Sequence, residues 1–257
     1  MKRKILLFTL ALGFLFSVYA SAQTADEIIK KNMDAKGGLK KFKSIKTIKL
    51  TGRFSMPPMG IEEVPITIIA KRPNLIRMDI EVMGMVVVRA FDGETAWQTM
   101  PIQSGYLETD VMPESDAEEM EREADFDGHL IDYKKKGHKV ELIGKEDIEG
   151  TEAYNLKVTL KDAYVVNYYL DTKTFLELKS SAKTSFQGDE MVGETFYDGY
   201  KEVAGILFAH SVEMKLDGQT SQKVIFENIE LNVSVEDDYF KMPSKETAIG
   251  RLEHLRK

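Results

Sequence analysis

The chain contains no cysteine among its 257 residues. That excludes disulfides, a thiol nucleophile and thiolate-bound zinc, so an exported form must be held by its core alone. Histidine is scarce too. His129, His138, His210 and His254 are scattered without metal-ligand spacing. There is no HExxH, no Walker-type phosphate loop and no G-x-S-x-G elbow, so the common hydrolase and nucleotide sites are absent. Positive charge is in deficit: 35 Lys and Arg stand against 42 Asp and Glu, a net charge of −7. Such a balance disfavours nucleic acid and direct docking on anionic lipid heads. Long apolar runs are missing after residue 22, and none there reaches the length of a membrane span.

What is present begins with a processing signal. Lys2-Arg3-Lys4 is a basic start, Ile5 to Tyr19 is mostly apolar, and Ala20-Ser21-Ala22 fits an A-x-A cleavage site. The expectation is a signal peptide over 1–22, cleaved after Ala22, with the uncleaved anchor as the alternative. No cysteine follows the apolar run, so the chain is not itself a lipoprotein. Loss of three cations takes the mature net charge to −10. Residues 23–257 show no linker or internal repeat and read as a single domain.

Thr24-Ala-Asp-Glu27 fits a capping box opening a helix to about Lys36, with Ile29 and Met33 on one face and Gly37-Gly38 as the stop. The period then changes to two. Ile48, Leu50 and Phe54 alternate with polar residues, as do Val64, Ile66 and Ile68, and Ile76, Met78, Ile80 and Val82. The pattern returns at Tyr154–Leu160, Val166–Leu170 and Phe208–Leu216. Roughly eleven or twelve half-buried antiparallel strands follow from this pattern. Asp92-Gly93, Asp171-Thr-Lys173 and Asp217-Gly218 mark turns. One acidic stretch, 113–127, interrupts the series. Pro113 starts a helix whose apolar stripe is Ala117, Met120 and Ala124, and a second short helix is expected over Leu130–Lys135.

One large antiparallel sheet needs a cover for its apolar face. The few helices are too little to fill a strongly curved sheet, which leaves a partly empty apolar cavity or a solid core as alternatives. Met56, Met59, Met78, Met83 and Met85, followed by Met100, Met112 and Met120, suit either an adaptable lining or a plastic core. His210, on an apolar face, reads as a core histidine. Asp125-Phe-Asp-Gly128 lacks the ligand pattern of a calcium loop and reads as a helix end. Asn232-Val-Ser234 fits a glycosylation sequon weakly. No metal or cofactor is implied.

Between two early strands stands Lys71-Arg72-Pro73-Asn74-Leu75, and farther on Asp92-Gly93-Glu-Thr-Ala-Trp97 with Pro101. In string, order and spacing these resemble the LolA family, periplasmic carriers of outer-membrane lipoproteins, and the β pattern extends the likeness over most of 24–242. The resemblance implies a mainly β (α+β) unclosed barrel of about eleven strands, lidded by helices around an apolar cavity. It implies that Arg72 hydrogen-bonds to the lid and latches the empty cavity; the plain alternative is a surface arginine beside a turn. Acyl chains would lie against Ile66, Ile68, Ile76, Met78, Ile80 and Trp97. A non-enzymatic monomer follows, binding lipoprotein acyl chains or other lipids, with membrane-bound donor and acceptor proteins and no nucleic acid. The chain departs from the family in its greater length and its acidic 113–127 segment. Asp127-Gly-His-Leu-Ile-Asp-Tyr133 and Gly150-Thr-Glu-Ala-Tyr154 look more like a broader set of exported lipoprotein-sorting-like proteins. That superfamily includes glycolipid carriers, envelope-stress sensors and at least one cofactor-free enzyme. A lipid-responsive sensor and a ligand-free structural domain therefore stand as alternatives on the same fold.

Overall fold

The computed structural model describes residues 23–101, 107–186 and 189–243, so the inferred signal segment 1–22 and His254 lie outside it. Helix α1 (Ala25–Ala35) starts at the capping box: the Glu27 amide donates to the Thr24 hydroxyl at 3.2 Å, and the Thr24 amide to the Glu27 carboxylate at 3.0 Å. Gly37 ends it. Its φ is +111°, and a Cβ there would stand 2.1 Å from the Gly205 carbonyl oxygen, so only glycine meets both demands. A short helix α2 (Leu39–Ser44), which the periodicity did not reveal, follows.

The strands are β1 (Thr47–Met56), β2 (Ile61–Lys71), β3 (Leu75–Val82), β4 (Met85–Phe91), β5 (Ala96–Pro101) and β6 (Leu107–Val111). Helix α3 (Glu114–Glu123) comes next, then β7 (Lys139–Ile148), β8 (Thr151–Thr159), β9 (Val165–Asp171), β10 (Glu177–Phe186) and β11 (Asp189–Asp198). The series ends with β12 (Lys201–Val203), β13 (Ile206–Phe208), β14 (Ser211–Leu216) and β15 (Gln219–Leu231). Thirteen strands form one antiparallel sheet in the order β6-β5-β4-β3-β2-β1-β15-β14-β11-β10-β9-β8-β7, and β12 pairs only with β13. The total exceeds the count from alternation, because pieces as short as β6, β12 and β13 carry too few residues to show a period. The sheet is not closed. Its free edges, β6 and β7, are the two strands that flank α3 in sequence.

The concave face is covered unevenly. On the β7–β9 side, Leu156, Val158 and Leu170 pack with Ile28 and Ile29 of α1 and with Leu130 into a dense core. On the β3–β5 side, Ile76, Phe91 and Ala96 pack with Met112, Met120 and Ala124, the stripe on α3. Arg122 reaches from α3 to the other side. Its guanidinium lies 4.2 Å from the Tyr164 ring centre and 3.4 Å from Asp162, both in the β8–β9 connection. Helix α3 thus bridges the gap between the two halves.

Two sequence expectations fail. Residues 130–135 are successive turns, not a helix: Asp132 has φ +53°, which breaks helical repetition, and its carbonyl accepts from both Lys135 and Lys136. The strand expected to run from Phe208 to Leu216 breaks at Ala209-His210. There the His210 amide donates to Asp198 and its carbonyl accepts from Phe226. His210 is a core residue, its Nδ1 2.8 Å from the Phe226 carbonyl.

The convex face of β2–β5 carries a strap, residues 233–243. Lys71 donates to the Val235 carbonyl at 2.7 Å and pairs with Asp237 at 2.6 Å. Arg77 donates to the Tyr239 carbonyl at 3.0 Å, and the Trp97 indole donates to the Phe240 carbonyl at 2.7 Å. Phe240 is fully buried. Replacing it with alanine is expected to cost about 3–5 kcal/mol. Because Trp97 is the only tryptophan, its emission should shift to the red in the same variant. Thermal melting and fluorescence check this; an unshifted spectrum at wild-type stability would mean the strap does not bury the indole.

Candidate functional site

The site is the concave face and the lid over it, and its mechanical centre is the link between β2 and β3. The strands pair up to Lys71 and Leu75, leaving Arg72, Pro73 and Asn74 as the turn, with a cis peptide before Pro73. The Asp92-Gly93 turn packs against it: Asp92 accepts from the amides of Glu94 and Thr95 at 3.1 and 2.8 Å, and Gly93 lies against Leu75 and Asn74. The two sequence motifs are therefore spatial neighbours.

Arg72 reaches from the β2–β3 turn to α2 and to the loop after α3. Its Nε donates to the Ile45 carbonyl at 2.6 Å and one terminal nitrogen to the Phe42 carbonyl at 3.1 Å, both at the end of α2. Its other terminal nitrogen donates to Asp127, in the loop that follows α3. The guanidinium also lies 4.4 Å from the Phe126 ring centre. Lys43 shares Asp127 and reaches Asp132 at 2.9 Å. The side chains of Arg72 and Asp127 are only 21% and 14% exposed, so this is no solvated surface pair. Burial alone would raise the Asp127 carboxyl, but the bonds from Lys43 and Arg72 outweigh it and hold it below its usual value. Arg72 ties α2, the β2–β3 turn and the post-α3 loop to one another.

Register fixes which residues share the concave face. Ile66 opposes Ile80, Ile68 opposes Met78, and Ala70 opposes Ile76. Ile48 and Leu50 on β1 lie across from Ala70 and Ile68, and Val224 and Val212 continue the face. Ile66 and Ile76 are buried, whereas Ile48, Leu50, Ile68, Met78 and Ile80 remain half-buried. Apolar groups along the middle of the concavity are thus only partly covered, Ile68 and Met78 at the margin of the core under α3. Trp97 does not belong with them. Ala96 faces inward beside Phe91, so Trp97, the next residue, faces the convex side with Val88, Ala90 and Met242. Its expected place in the cavity is corrected accordingly.

Comparison with solved structures gives the relation. A LolA superfamily protein from Nitrosomonas europaea superposes at TM-score 0.57 with 17% identity, covering 86% of this chain and 98% of its own. The fold is LolA-like. A DUF1329 family protein from Desulfovibrio piger matches at TM-score 0.56 and 11% identity, over 86% and 98% of the two chains. A putative outer membrane lipoprotein-sorting protein domain from Vibrio parahaemolyticus matches at 0.54 and 12%, over 84% and 97%. No family model matches the chain, and no curated protein matches it in sequence.

Within this LolA-like frame the lid has polar features that sequence reading missed. A cleft of about 530 Å³ opens between α3, the loop after it and the β8–β9 connection, lined by Arg122, Asp125, His129, Lys136, His138 and Asp162 among others. Lys136 closes the loop on itself, bonding Asp125 and the Gly128 carbonyl at 2.7 Å. His129 stands 2.8 Å from the Tyr168 hydroxyl, on the concave face of β9. Nothing in the spacing of these residues signals the meeting, which the folded loop alone creates. Among the described residues no group of His, Asp and Glu is arranged to hold a metal, and no helix is long and apolar enough to cross a membrane.

Burial pushes the His129 imidazole down to about 4, more than Asp125 nearby raises it. A base with a lowered folded pKa binds its proton more readily when unfolded. Its contribution is therefore intact above the ordinary value near 6.5 and is lost as pH falls from there toward 4. Denaturant midpoints measured between pH 7 and pH 4 should fall, and His129→Gln, which retains a partner for Tyr168, should flatten that part of the fall. An equal decline in both proteins would assign it to other groups.

Proposed function

We propose that the protein is a periplasmic carrier that shields the acyl chains of outer-membrane lipoproteins or related lipids, without catalysing a reaction. The observation that carries this reading is the row of half-buried apolar residues, Ile48, Leu50, Ile68, Met78 and Ile80, on the concave face, with the covering segments joined by a few polar bonds. The LolA-like fold supports it, as does the secretory character of residues 1–22. An acyl chain gains about 0.8 kcal/mol for each methylene removed from water, so a lipid anchor needs cover to cross an aqueous space. Entry and release require the cover to move. The Arg72 bonds are of the charge-assisted kind, worth about 1.5–3 kcal/mol, enough to bias a lid without fixing it. Loaded, the lid opens and acyl chains take the place of the closing contacts; at an acceptor, closure competes with the chains and helps expel them. Cargo passes from a membrane-bound donor to an acceptor, and the carrier works as a monomer.

The mature protein should bind an environment-sensitive apolar dye stoichiometrically, and long-chain lipids should displace it. Ile68→Glu should suppress both, because a carboxylate placed on an apolar wall is costly. Ile68 is preferable to Met78 for this purpose, since Arg89 lies directly across from Met78 and would neutralise a glutamate there. Arg72→Leu should load cargo yet transfer it slowly to acceptor membranes. A folded wild type that takes up neither dye nor lipid would refute the carrier reading.

A further inference from the structure

The concave face holds one cation that the apolar reading does not use. Arg89 lies in the run Met85-Val-Val-Val-Arg-Ala-Phe91 with the same parity as Val87 and Phe91. Its cross-strand neighbours are Met78 on β3 and Gln98 on β5, so it projects from the concave face into the apolar row. Arg89 is only half-buried, and among the described residues it has no hydrogen bond and no ion pair within 4 Å. Gln98 likewise has no side-chain partner there. An arginine placed on an apolar wall with its fork unsatisfied is costly to maintain.

Above it hangs Glu123, at the last turn of α3. Its side chain is exposed, yet neighbouring protein desolvates the carboxyl enough to be the chief influence on its titration. Arg89 of β4 and Tyr197 of β11 are the ionisable groups that feel it from the sheet, and Glu119 and Arg122 those from its own helix. It makes no ion pair with Arg89 within 4 Å. The two groups therefore stand near each other without contact, one on the sheet and one on α3.

We propose that the concave face binds an acyl chain that ends in a carboxylate, with Arg89 and Gln98 holding the head and Glu123 of α3 beside it. This rests on the carrier reading and specifies the ligand. Geometry and charge both favour a carboxylate. The planar guanidinium offers two parallel donors that match one carboxylate, and Gln98 beside it supplies a third. One ligand charge against one arginine, with Glu123 neutral, leaves the site balanced; a dianionic phosphate would leave it negative. Desolvation raises the Glu123 carboxyl to about 7. It therefore carries its proton below that pH and can donate to the ligand, whereas above it the ionised form repels the ligand. Loading takes up a proton and strengthens as pH falls from 8 to 6.

The test is titration of the mature protein with hexadecanoate, hexadecanol and hexadecyl phosphate. Hexadecanoate should bind about tenfold to a hundredfold more tightly than hexadecanol, and more tightly than the phosphate. Arg89→Gln should erase most of the acid-over-alcohol ratio. Glu123→Gln should remove the protein's share of the change in that ratio between pH 8 and pH 6, which also separates it from the ligand's own titration. Equal affinity for acid and alcohol in the wild type overturns the proposal and leaves the carrier reading standing. So does a preference for the phosphate, or an Arg89→Gln protein that keeps the full ratio. Failure of all three ligands to bind overturns the carrier reading and this proposal together.

Discussion

A sheet of thirteen strands that does not close on itself leaves one constraint over all others: something must hold its concave face covered. Arg72 bonds the covering segments to one another. One guanidinium donates to two carbonyls at the end of α2 and to Asp127 beyond α3, so three segments distant in sequence share a single fork. The carbonyls at the end of a short helix are unsatisfied acceptors in any case, and the arginine supplies their donors. Lys43 is the second donor to Asp127, so the carboxylate is not stranded if Arg72 lets go. A clamp with a spare partner at its hub is suited to opening, because the cost of release is the loss of bonds and not the exposure of a lone buried charge.

The two halves of the concavity answer the same constraint in different ways. Under α1 and Leu130, the face of β7–β9 is packed as a conventional core. A buried ion pair, Lys36 with Glu177 at 3.1 Å, fastens α1 to β10, and there Lys36 more than offsets the rise that burial alone would give the Glu177 carboxyl. Over β3–β5 the cover among the described residues is Met112 and α3, ten residues whose apolar stripe is narrow. The first half is packed by several elements, and the second by a narrower stripe. Arg89 and the apolar row of β2 and β3 lie on that side.

Much of this was legible in the residues. The capping box at Thr24, the glycine stop, the acidic helix after Pro113 and the alternation of Ile66, Ile68, Ile76, Met78 and Ile80 rest on local rules, and the structure has them where those rules put them. Arg72 stood out because a proline and a cation between two strands have no obvious structural use. Trp97 was misplaced because a large apolar residue reads as interior, and only the register set by the Asp92-Gly93 turn reveals which face it takes. The loop after α3 defeated local reasoning altogether: Asp127, His129 and Asp132 acquire their partners from β2, β9 and α2, and no spacing announces that. Arg89 was readable and passed over. Its parity with Val87 and Phe91 already placed a charge on an apolar face.

The central claim is that Arg72 holds the lid against the sheet. With no cysteine in the chain, two introduced ones can be labelled uniquely, at exposed Glu121 on α3 and exposed Lys161 in the β8–β9 connection, on opposite walls of the cleft. Spin-label distances between them report lid position directly. A narrow, short distribution in the otherwise unaltered protein, moved toward longer separations by Arg72→Leu with the fold intact by circular dichroism, is the result predicted. An identical distribution in the Arg72→Leu protein would contradict the account.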